Sequence, residues 1–350
     1  MRDPVNTREA AAGFKAVLSC LAMCVVLVGL TMTTAQATEN GGSTYPIGAE
    51  TVLPGLTPAP GQTIFAEFNA NYQANSLVNG QGHSVVPGFD LSVYAFAPKV
   101  THTWGLSLLG GHLVTWGASP LVDERLVTPA GAQQKTGFGN PALGIDIAYN
   151  KGNWHWWYGL DMETPAPGFH KGDALNTGQH NFATAPVFAF TYLPGEGATE
   201  LSSRIQYLVN YTDPATHYHS GNELIWEYVG MKKVTKKLSL GMNGYYHQQT
   251  TDDRLNSLVY ENGNRVRDLT FGPEVRCHLG PMVLIGKYFR DTMVQNGARG
   301  NAYWVELAVP LNHPRKVSAS AAPAPAPTPA PAPAPSAVSS SVAGGAGGSR

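Results

Sequence analysis

The chain has 350 residues and a formal net charge of −1, and only 13% of its residues are charged. A soluble globular domain carries about 25% charged residues, so this chain has few charged groups for a water-exposed surface. The near-neutral charge provides no basic surface for nucleic acid. Three cysteines are too few for a disulfide scaffold. No apolar run beyond the N-terminus reaches the roughly 18 residues of a membrane-spanning helix.

Residues 1–37 have the pattern of a secretory signal peptide. A basic start precedes an uncharged run from Ala16 to Leu30, and Ala35-Gln36-Ala37 provides an A-x-A cleavage site. We therefore expect these residues to be removed on export. A membrane anchor is the first alternative, but the run is short for a span. A lipoprotein is the second, but neither cysteine in the run lies where acylation would place it.

Residues 38–61 precede the first predicted strand and are irregular. They contain Tyr45-Pro46, Pro54-Gly55 and Pro60-Gly61, so we expect no membrane-spanning strand there. The segment could fold into a barrel as a plug, or it could remain a flexible leader. The sequence leaves both interpretations open.

Residues 62–311 alternate between apolar and polar side chains, which is the period of a β-strand. Trp154, Trp156 and Tyr158 occupy one face of such a segment, while His155 and Asp161 occupy the other. The pattern predicts twelve strands: 62–74, 86–97, 103–116, 138–149, 154–165, 181–193, 200–212, 222–231, 237–250, 267–278, 282–291 and 302–311.

The predicted connections alternate between short and long along this region. Short links fall at 98–102, 150–153, 194–199, 232–236 and 279–281, and longer links separate them. Transmembrane β-barrels have short periplasmic turns and longer extracellular loops. The sequence therefore predicts an all-β protein, an antiparallel up-and-down barrel of about twelve strands in the bacterial outer membrane. A soluble β-sandwich is the alternative, because alternation alone would also allow it.

The polar face of these strands carries more acidic than basic residues. In a barrel that spans a membrane, this face points inward, where it lines water or pairs within a packed interior. We expect a pore lining that disfavours anions, although a structural network is an equal alternative. The pore-lining candidates are Glu67, Asp161, Glu163, Arg204, Glu227, Glu274 and Arg276.

Residues 312–350 form an Ala/Pro-rich tail that we expect to be disordered. From Ser318 onward it consists of Ala, Pro, Ser and Gly with a few Val and one Thr, and it ends in Arg350. Such a composition cannot bury a core, and its Ala-Pro repeats favour an extended chain. A solvated tail is the simplest interpretation. A spacer that contacts peptidoglycan or another periplasmic partner is the other.

The chain also resembles the outer-membrane family named after the meta-pathway of phenol degradation, whose members are described as transporters. The resemblance covers about residues 44–311, and the departure from it is the tail, because such barrels usually end at an aromatic residue in the last strand. The residues that carry it are Tyr45-Pro46, Gly48, Glu50, Pro60-Gly61, Asn176, Gly178, Tyr218, Ser220-Gly221, Glu223, Gln248, Thr250, Asp252-Asp253, Gly272-Pro273 and Gly300-Asn301-Ala302-Tyr303-Trp304. The resemblance implies an outer-membrane barrel linked to the use of aromatic compounds, and it supplies no binding residues.

These observations predict a channel or transporter for passive or facilitated uptake of small molecules, with hydrophobic or aromatic compounds favoured by the resemblance. We expect no enzyme activity, no metal and no cofactor; the partners are membrane lipid and small solutes. A structural or surface-interaction barrel with a filled lumen is the alternative. A lipase built on His219-Ser220 is a third interpretation, but adjacent strand residues face opposite ways. A metal bound by His217 and His219 has no further ligand placed by spacing.

Overall fold

The structure, a computed structural model, describes residues 42–173 and 175–312. The predicted signal peptide at 1–37 and the tail from residue 313 onward lie outside the described residues. Within the described part, no helix is long and apolar enough to cross a membrane. Helical turns occur only as short pieces there, at Ala49–Thr51 and Pro194–Gly197.

Strands dominate the described residues. In chain order they are β1 (Thr63–Val78), β2 (Asp90–Leu108), β3 (Gly111–Ala118), β4 (Leu121–Thr128), β5 (Gly131–Phe138), β6 (Ala142–Lys151), β7 (Trp154–Glu163), β8 (Ala183–Tyr192), β9 (Thr199–Asn210), β10 (Tyr218–His219), β11 (Glu223–Lys233), β12 (Leu238–Gln249), β13 (Arg254–Leu255), β14 (Leu258–Val259), β15 (Arg267–Leu279), β16 (Met282–Gln295) and β17 (Gly297–Pro310).

Twelve of these strands close into one antiparallel barrel. The order around the wall is β1-β2-β3-β6-β7-β8-β9-β11-β12-β15-β16-β17, and β17 pairs with β1 to complete the circle. Closure satisfies the backbone groups that an open edge would leave unpaired in lipid. The predicted fold class, a closed barrel of twelve antiparallel strands, is confirmed.

The second predicted hairpin is wrong in its position. We expected a turn at 98–102, whereas β2 continues through Pro98 to Leu108 and turns at Leu109-Gly110. Proline lacks the N–H that a strand ladder needs. Pro98 is tolerated because its strand changes partner there, from β4 at Phe96 to β3 at Lys99. The absent donor therefore coincides with a break in the ladder.

Two predicted loops are strands instead. The region 117–137 contains the hairpin β4–β5, which extends the sheet of β2 beyond the closed wall. The region 292–301 was expected to be a long loop, yet β16 and β17 are joined by Asn296 alone. Asn296 has a left-handed backbone with φ 50°, which asparagine adopts more readily than most residues.

The wall is apolar outside and polar inside along most strands. Ile145, Leu160, Ile205 and Phe271 are exposed on the outer face, while Arg204 is buried on the inner face. A soluble protein would place these side chains the other way round. An apolar outer band on a closed barrel is the arrangement that lipid requires.

Strand β1 reverses this pattern, and the pore-lining prediction for Glu67 is wrong. Phe68 lies opposite Glu306 and Ala97 on the inner face, so its neighbour Glu67 points outward. There the Glu67 carboxylate accepts a hydrogen bond from the Asn69 amide at 2.8 Å. The inner face of β1 is apolar because it borders an apolar cavity, described below.

Candidate functional site

The barrel interior holds the chain that precedes β1. Residues 42–61, here called the inner segment, cross the lumen and contact several strands of the wall. Pro54 accepts a hydrogen bond from the Trp157 indole on β7, and the Gly55 N–H donates to Thr191 Oγ1 on β8 at 2.9 Å. A side chain at Gly55 would collide with the backbone at Phe190. Glycine there allows the segment to lie directly on the wall.

Glu227 on β11 anchors the middle of the inner segment. Its carboxylate accepts hydrogen bonds from the Tyr45 hydroxyl at 2.9 Å and from the Gly48 N–H at 2.7 Å. Gly48 has φ 94°, a backbone conformation that residues with a side chain rarely adopt. An added Cβ would also lie 3.1 Å from the Phe289 ring. The segment is therefore shaped to meet this one carboxylate.

Lys287 on β16 holds the same part of the segment from another strand. Its ammonium group donates to the Gly48 carbonyl at 2.9 Å, the Ala49 carbonyl at 3.2 Å and Thr51 Oγ1 at 3.1 Å. It also forms an ion pair with Glu306 on β17. An ammonium group has three N–H donors, and four oxygen acceptors surround this one. Lys287 thus fixes the inner segment mainly through its backbone.

Arg204 on β9 joins three of the predicted residues in one buried cluster. Its guanidinium binds Asp161 at 2.5 Å and Glu227 at 3.2 Å, and it lies 4.7 Å from the centre of the Tyr45 ring. Arg204 is only 2% exposed. Removal of a charge from water is costly unless it is paired, as it is here by two carboxylates. The cluster lies between the wall and the inner segment.

A second cluster contains the other predicted basic residue. Arg276 on β15 binds Glu274 and also Glu200 on β9, each at 2.5 Å. A similar arrangement occurs on β12, where His247 lies between Glu223 at 2.9 Å and Asp268 at 3.1 Å. These groups lie inside the barrel and form ion pairs with one another. They brace the wall from inside.

The structure therefore separates the seven predicted residues. Asp161, Arg204 and Glu227 lie together under the inner segment, and Glu274 pairs with Arg276 elsewhere in the lumen. Glu163 borders the cavity described next, and Glu67 faces outward. Whether the inward-facing residues line a conducting path stays a prediction.

The pore-lining prediction included Glu227 but omitted the other charged residues that hold the inner segment, namely Lys287, Glu306 and Glu50. Lys287 and Glu306 were recognisable, because the alternation of side chains along β16 and β17 places both on the inner face. Glu50, which forms an ion pair with Lys99 on β2, was not recognisable in this way. Lys99 falls within the turn that we predicted wrongly, so its strand phase carried no signal. The inner segment has no strand phase that could have indicated Glu50.

An apolar cavity of ≈ 70 Å³ lies between the inner segment and the wall of β1, β2, β3, β6, β7 and β17. Tyr45 and Ala49 border it from the segment. The wall contributes aromatic and small side chains, namely Phe68, Ala70, Ala95, Ala97, Trp116 and Trp304. Its lining is mostly apolar, and it lies inside the barrel. Its lining favours apolar groups and offers little to a sugar.

The residues considered for catalysis and metal binding do not assemble in the described residues. His219 Nδ1 lies 3.4 Å from Thr212 Oγ1, a contact with threonine instead of Ser220. No group of three or more His, Cys, Asp or Glu side chains that could hold a metal occurs in residues 42–173 and 175–312. The expectation that the protein is not an enzyme stays a prediction.

Most of the barrel region of this chain matches a known protein family. The family described as "Putative MetA-pathway of phenol degradation" matches residues 74–307, which is more than half of the chain. The chain belongs to this family. This confirms the resemblance seen in the sequence. With the closed barrel and its apolar outer band, membership in this family places the protein in the bacterial outer membrane.

Solved structures similar to this chain include an outer membrane channel and a domain of an autotransporter. An outer membrane channel from Pseudomonas putida F1 shares 15% sequence identity, with 76% of this chain and 99% of that chain covered and a TM-score of 0.62. The beta domain of the Bordetella autotransporter BrkA shares 12% identity over 71% of this chain and 99% of that chain, with a TM-score of 0.43. A search of curated proteins finds no match. At these identities the similarity concerns the fold.

Proposed function

We propose that the protein is a channel for the uptake of small molecules across the outer membrane, and that hydrophobic or aromatic compounds are its preferred solutes. The observation that carries this proposal is the apolar cavity beside the inner segment. Its lining is mainly apolar, whereas the clusters around Arg204 and Arg276 consist of paired charges. A solute that enters the barrel next to β1–β3 meets Phe68, Trp116 and Trp304 there, and the Glu50–Lys99 pair and Glu163 lie at the border of the cavity.

The energetics favour apolar solutes at this cavity. Transfer of apolar surface from water contributes about 25 cal/mol per Å², and an aromatic ring can also stack on tryptophan. A sugar would lose hydrogen bonds to water there and gain few in return. The family description, which concerns phenol degradation, supports the same choice.

The size of the cavity implies movement of the inner segment. A cavity of about 150 Å³ is known to hold benzene, whereas the cavity here is ≈ 70 Å³. A passing ring therefore needs more space. The inner segment is held by hydrogen bonds and ion pairs, which water can replace, and by apolar packing of Tyr45, Ile47 and Ala49, whereas the wall is held by backbone ladders that close around the barrel. We propose that the segment shifts and the wall stays closed.

Filling the cavity should block apolar solutes. Ala97 lies on the inner face of β2 and borders the cavity, so Ala97→Phe would place a ring inside it. We expect entry of a neutral aromatic solute into proteoliposomes to fall several-fold. The matched control is Val100→Phe on the same strand, since Val100 is exposed on the outer face.

The outcome separates two functions. Reduced aromatic entry in Ala97→Phe with normal entry in Val100→Phe would support the proposal. Equal entry in both variants, with folding verified by a heat-dependent gel shift, would contradict it. The second candidate is a structural barrel with a filled lumen, favoured by the buried ion pairs around the inner segment. It predicts no entry in either variant or in the natural chain.

Contact of the tail with peptidoglycan is a separate proposal. It rests on the Ala-Pro repeats between Ala322 and Pro335, which favour an extended spacer. Chemical crosslinking in whole cells would test it. Peptidoglycan adducts that disappear when the chain ends after Asn312 would support the contact, and adducts that persist would contradict it.

A further inference from the structure

The strands β10, β13 and β14 form a small sheet outside the barrel wall. It joins the connection between β9 and β11 to the connection between β12 and β15. These connections lie at the barrel end opposite the start of β1 and the end of β17. One face of the sheet is buried: the Tyr218 hydroxyl donates to Asp253 Oδ2 at 2.6 Å, and Asp253 Oδ1 accepts from the Gly221 N–H at 2.8 Å.

The other face of the small sheet lines an open cleft of ≈ 570 Å³, here called the outer cleft. In the strand register His219 lies directly opposite Arg254, so their side chains are neighbours on this face. Every side chain that lines the outer cleft can donate a hydrogen bond, and none is a carboxylate. The lining residues are Thr212, His217, His219, Arg254, Asn256 and Ser257.

The carboxylates nearest in sequence are engaged elsewhere. Asp253 is turned toward Tyr218 and Gly221, and Asp252 binds Arg265 at 2.8 Å. Arg254 contacts the Ser257 carbonyl at 3.4 Å, a weak bond. Arg254 thus supplies positive charge to the outer cleft, and none of the other lining residues is a carboxylate that could neutralise it.

The state of His219 agrees with this arrangement. Partial burial and the positive charge of Arg254 lower the pKa of His219, and the Asp253 carboxylate opposes this only in part. A bound anion would reverse the effect of Arg254. Three lining residues, His217, Asn256 and Ser257, also have left-handed backbones with φ between 51° and 68°. The Asn256 N–H donates to the His217 carbonyl at 3.1 Å, which fixes two of them relative to each other.

We propose that the outer cleft binds a phosphate group. Guanidinium and imidazole donors flanked by hydroxyl and amide donors are the set that phosphate oxygens require, and the Arg254 guanidinium supplies a positive charge that suits an anion. The cleft belongs to the loop end of the barrel, which in outer-membrane barrels faces the cell exterior. A phosphate there comes either from lipopolysaccharide in the outer leaflet or from a free phosphoester in the medium.

Calorimetric titration of the folded protein in a phosphate-free detergent tests this proposal, with inorganic phosphate as the first probe. Arg254→Gln and His219→Gln should each weaken binding by about tenfold or more, because each removes a charge-assisted hydrogen bond. The matched controls are Arg265→Gln in the same connection and His83→Gln in another loop, both outside the cleft. These controls should bind phosphate as the natural chain does. Folding of every variant is verified by the heat-dependent gel shift.

Further arms of the experiment separate the two sources of phosphate. Lipopolysaccharide and its enzymatically dephosphorylated form are titrated against the same variants. Binding of the phosphorylated form alone, lost in Arg254→Gln, would support the proposal with lipid as the source. Binding of inorganic phosphate without lipopolysaccharide would support a soluble source. Absence of binding of both inorganic phosphate and phosphorylated lipopolysaccharide, or equal binding in Arg254→Gln and Arg265→Gln, would overturn the proposal.

Discussion

Deletion of residues 44–60 is expected to raise the single-channel conductance of the folded barrel several-fold. These residues occupy the lumen and contact β7, β8, β11 and β16. The wall does not need them for closure, because β1 pairs with β2 on one side and with β17 on the other. Once the segment is absent, Glu227 and Lys287 would face water and gain hydration. Planar-bilayer recording of the natural and the shortened chain measures the effect.

A point variant separates an open lumen from a damaged wall. Lys287→Met removes the donors to the Gly48 and Ala49 carbonyls but leaves the segment in place. We expect it to show brief openings of intermediate conductance, since Glu227 still holds Gly48. If the shortened chain folds and its conductance equals that of the natural chain, the inner segment does not occlude the lumen.

Arg204→Met is expected to lower the free energy of unfolding by about 3–5 kcal/mol, the usual cost of removing one partner from a buried ion pair. The variant would leave Asp161 and Glu227 close together without their common cation. The Tyr45 ring would also lose the guanidinium that lies beside it. Urea unfolding of the barrel in detergent micelles, followed by tryptophan fluorescence, measures the change.

The control for this variant is an exposed ion pair on the same barrel. Arg125 and Asp90 are 3.4 Å apart, and both side chains are about half exposed. Exposed pairs contribute about 0–1 kcal/mol, so Arg125→Met should change stability by no more than that. Equal losses of unfolding free energy in the two variants would show that the buried ion pairs of Arg204 stabilise the barrel no more than an exposed pair does. A loss confined to Arg204→Met would support the cluster as the central brace of the lumen.

Much of the barrel was predictable because the alternation of side chains along a membrane-spanning strand is a local sequence pattern. A strand that separates lipid from a polar lumen must alternate, and β7 and β9 show this pattern clearly in the sequence. The prediction failed where the surroundings change. On β1 the lumen itself is apolar, so Phe68 faces inward and Glu67 outward. At Pro98 we predicted the end of a strand, because proline lacks an N–H donor. Strand β2 continues instead, because its hydrogen-bonded partner changes there from β4 to β3.

The site was only partly predictable because its contacts join distant parts of the chain. The alternation of side chains along each strand predicted that charges such as Arg204 and Arg276 point inward. It did not predict which residues pair with one another. Arg276 binds Glu200, 76 residues away, and Tyr45 binds Glu227, 182 residues away. Pairing at such separations depends on the order and tilt of strands around the barrel. A single sequence contains no local pattern that specifies them.

The central claim is that apolar solutes cross this barrel more readily than polar solutes of the same size. The most direct test is solute entry into proteoliposomes that contain the folded natural chain. The panel pairs neutral aromatics and aromatic acids with sugars and amino acids of matched size. We predict the fastest entry for the neutral aromatics. Equal entry for all solutes, or no entry of any, would contradict the claim.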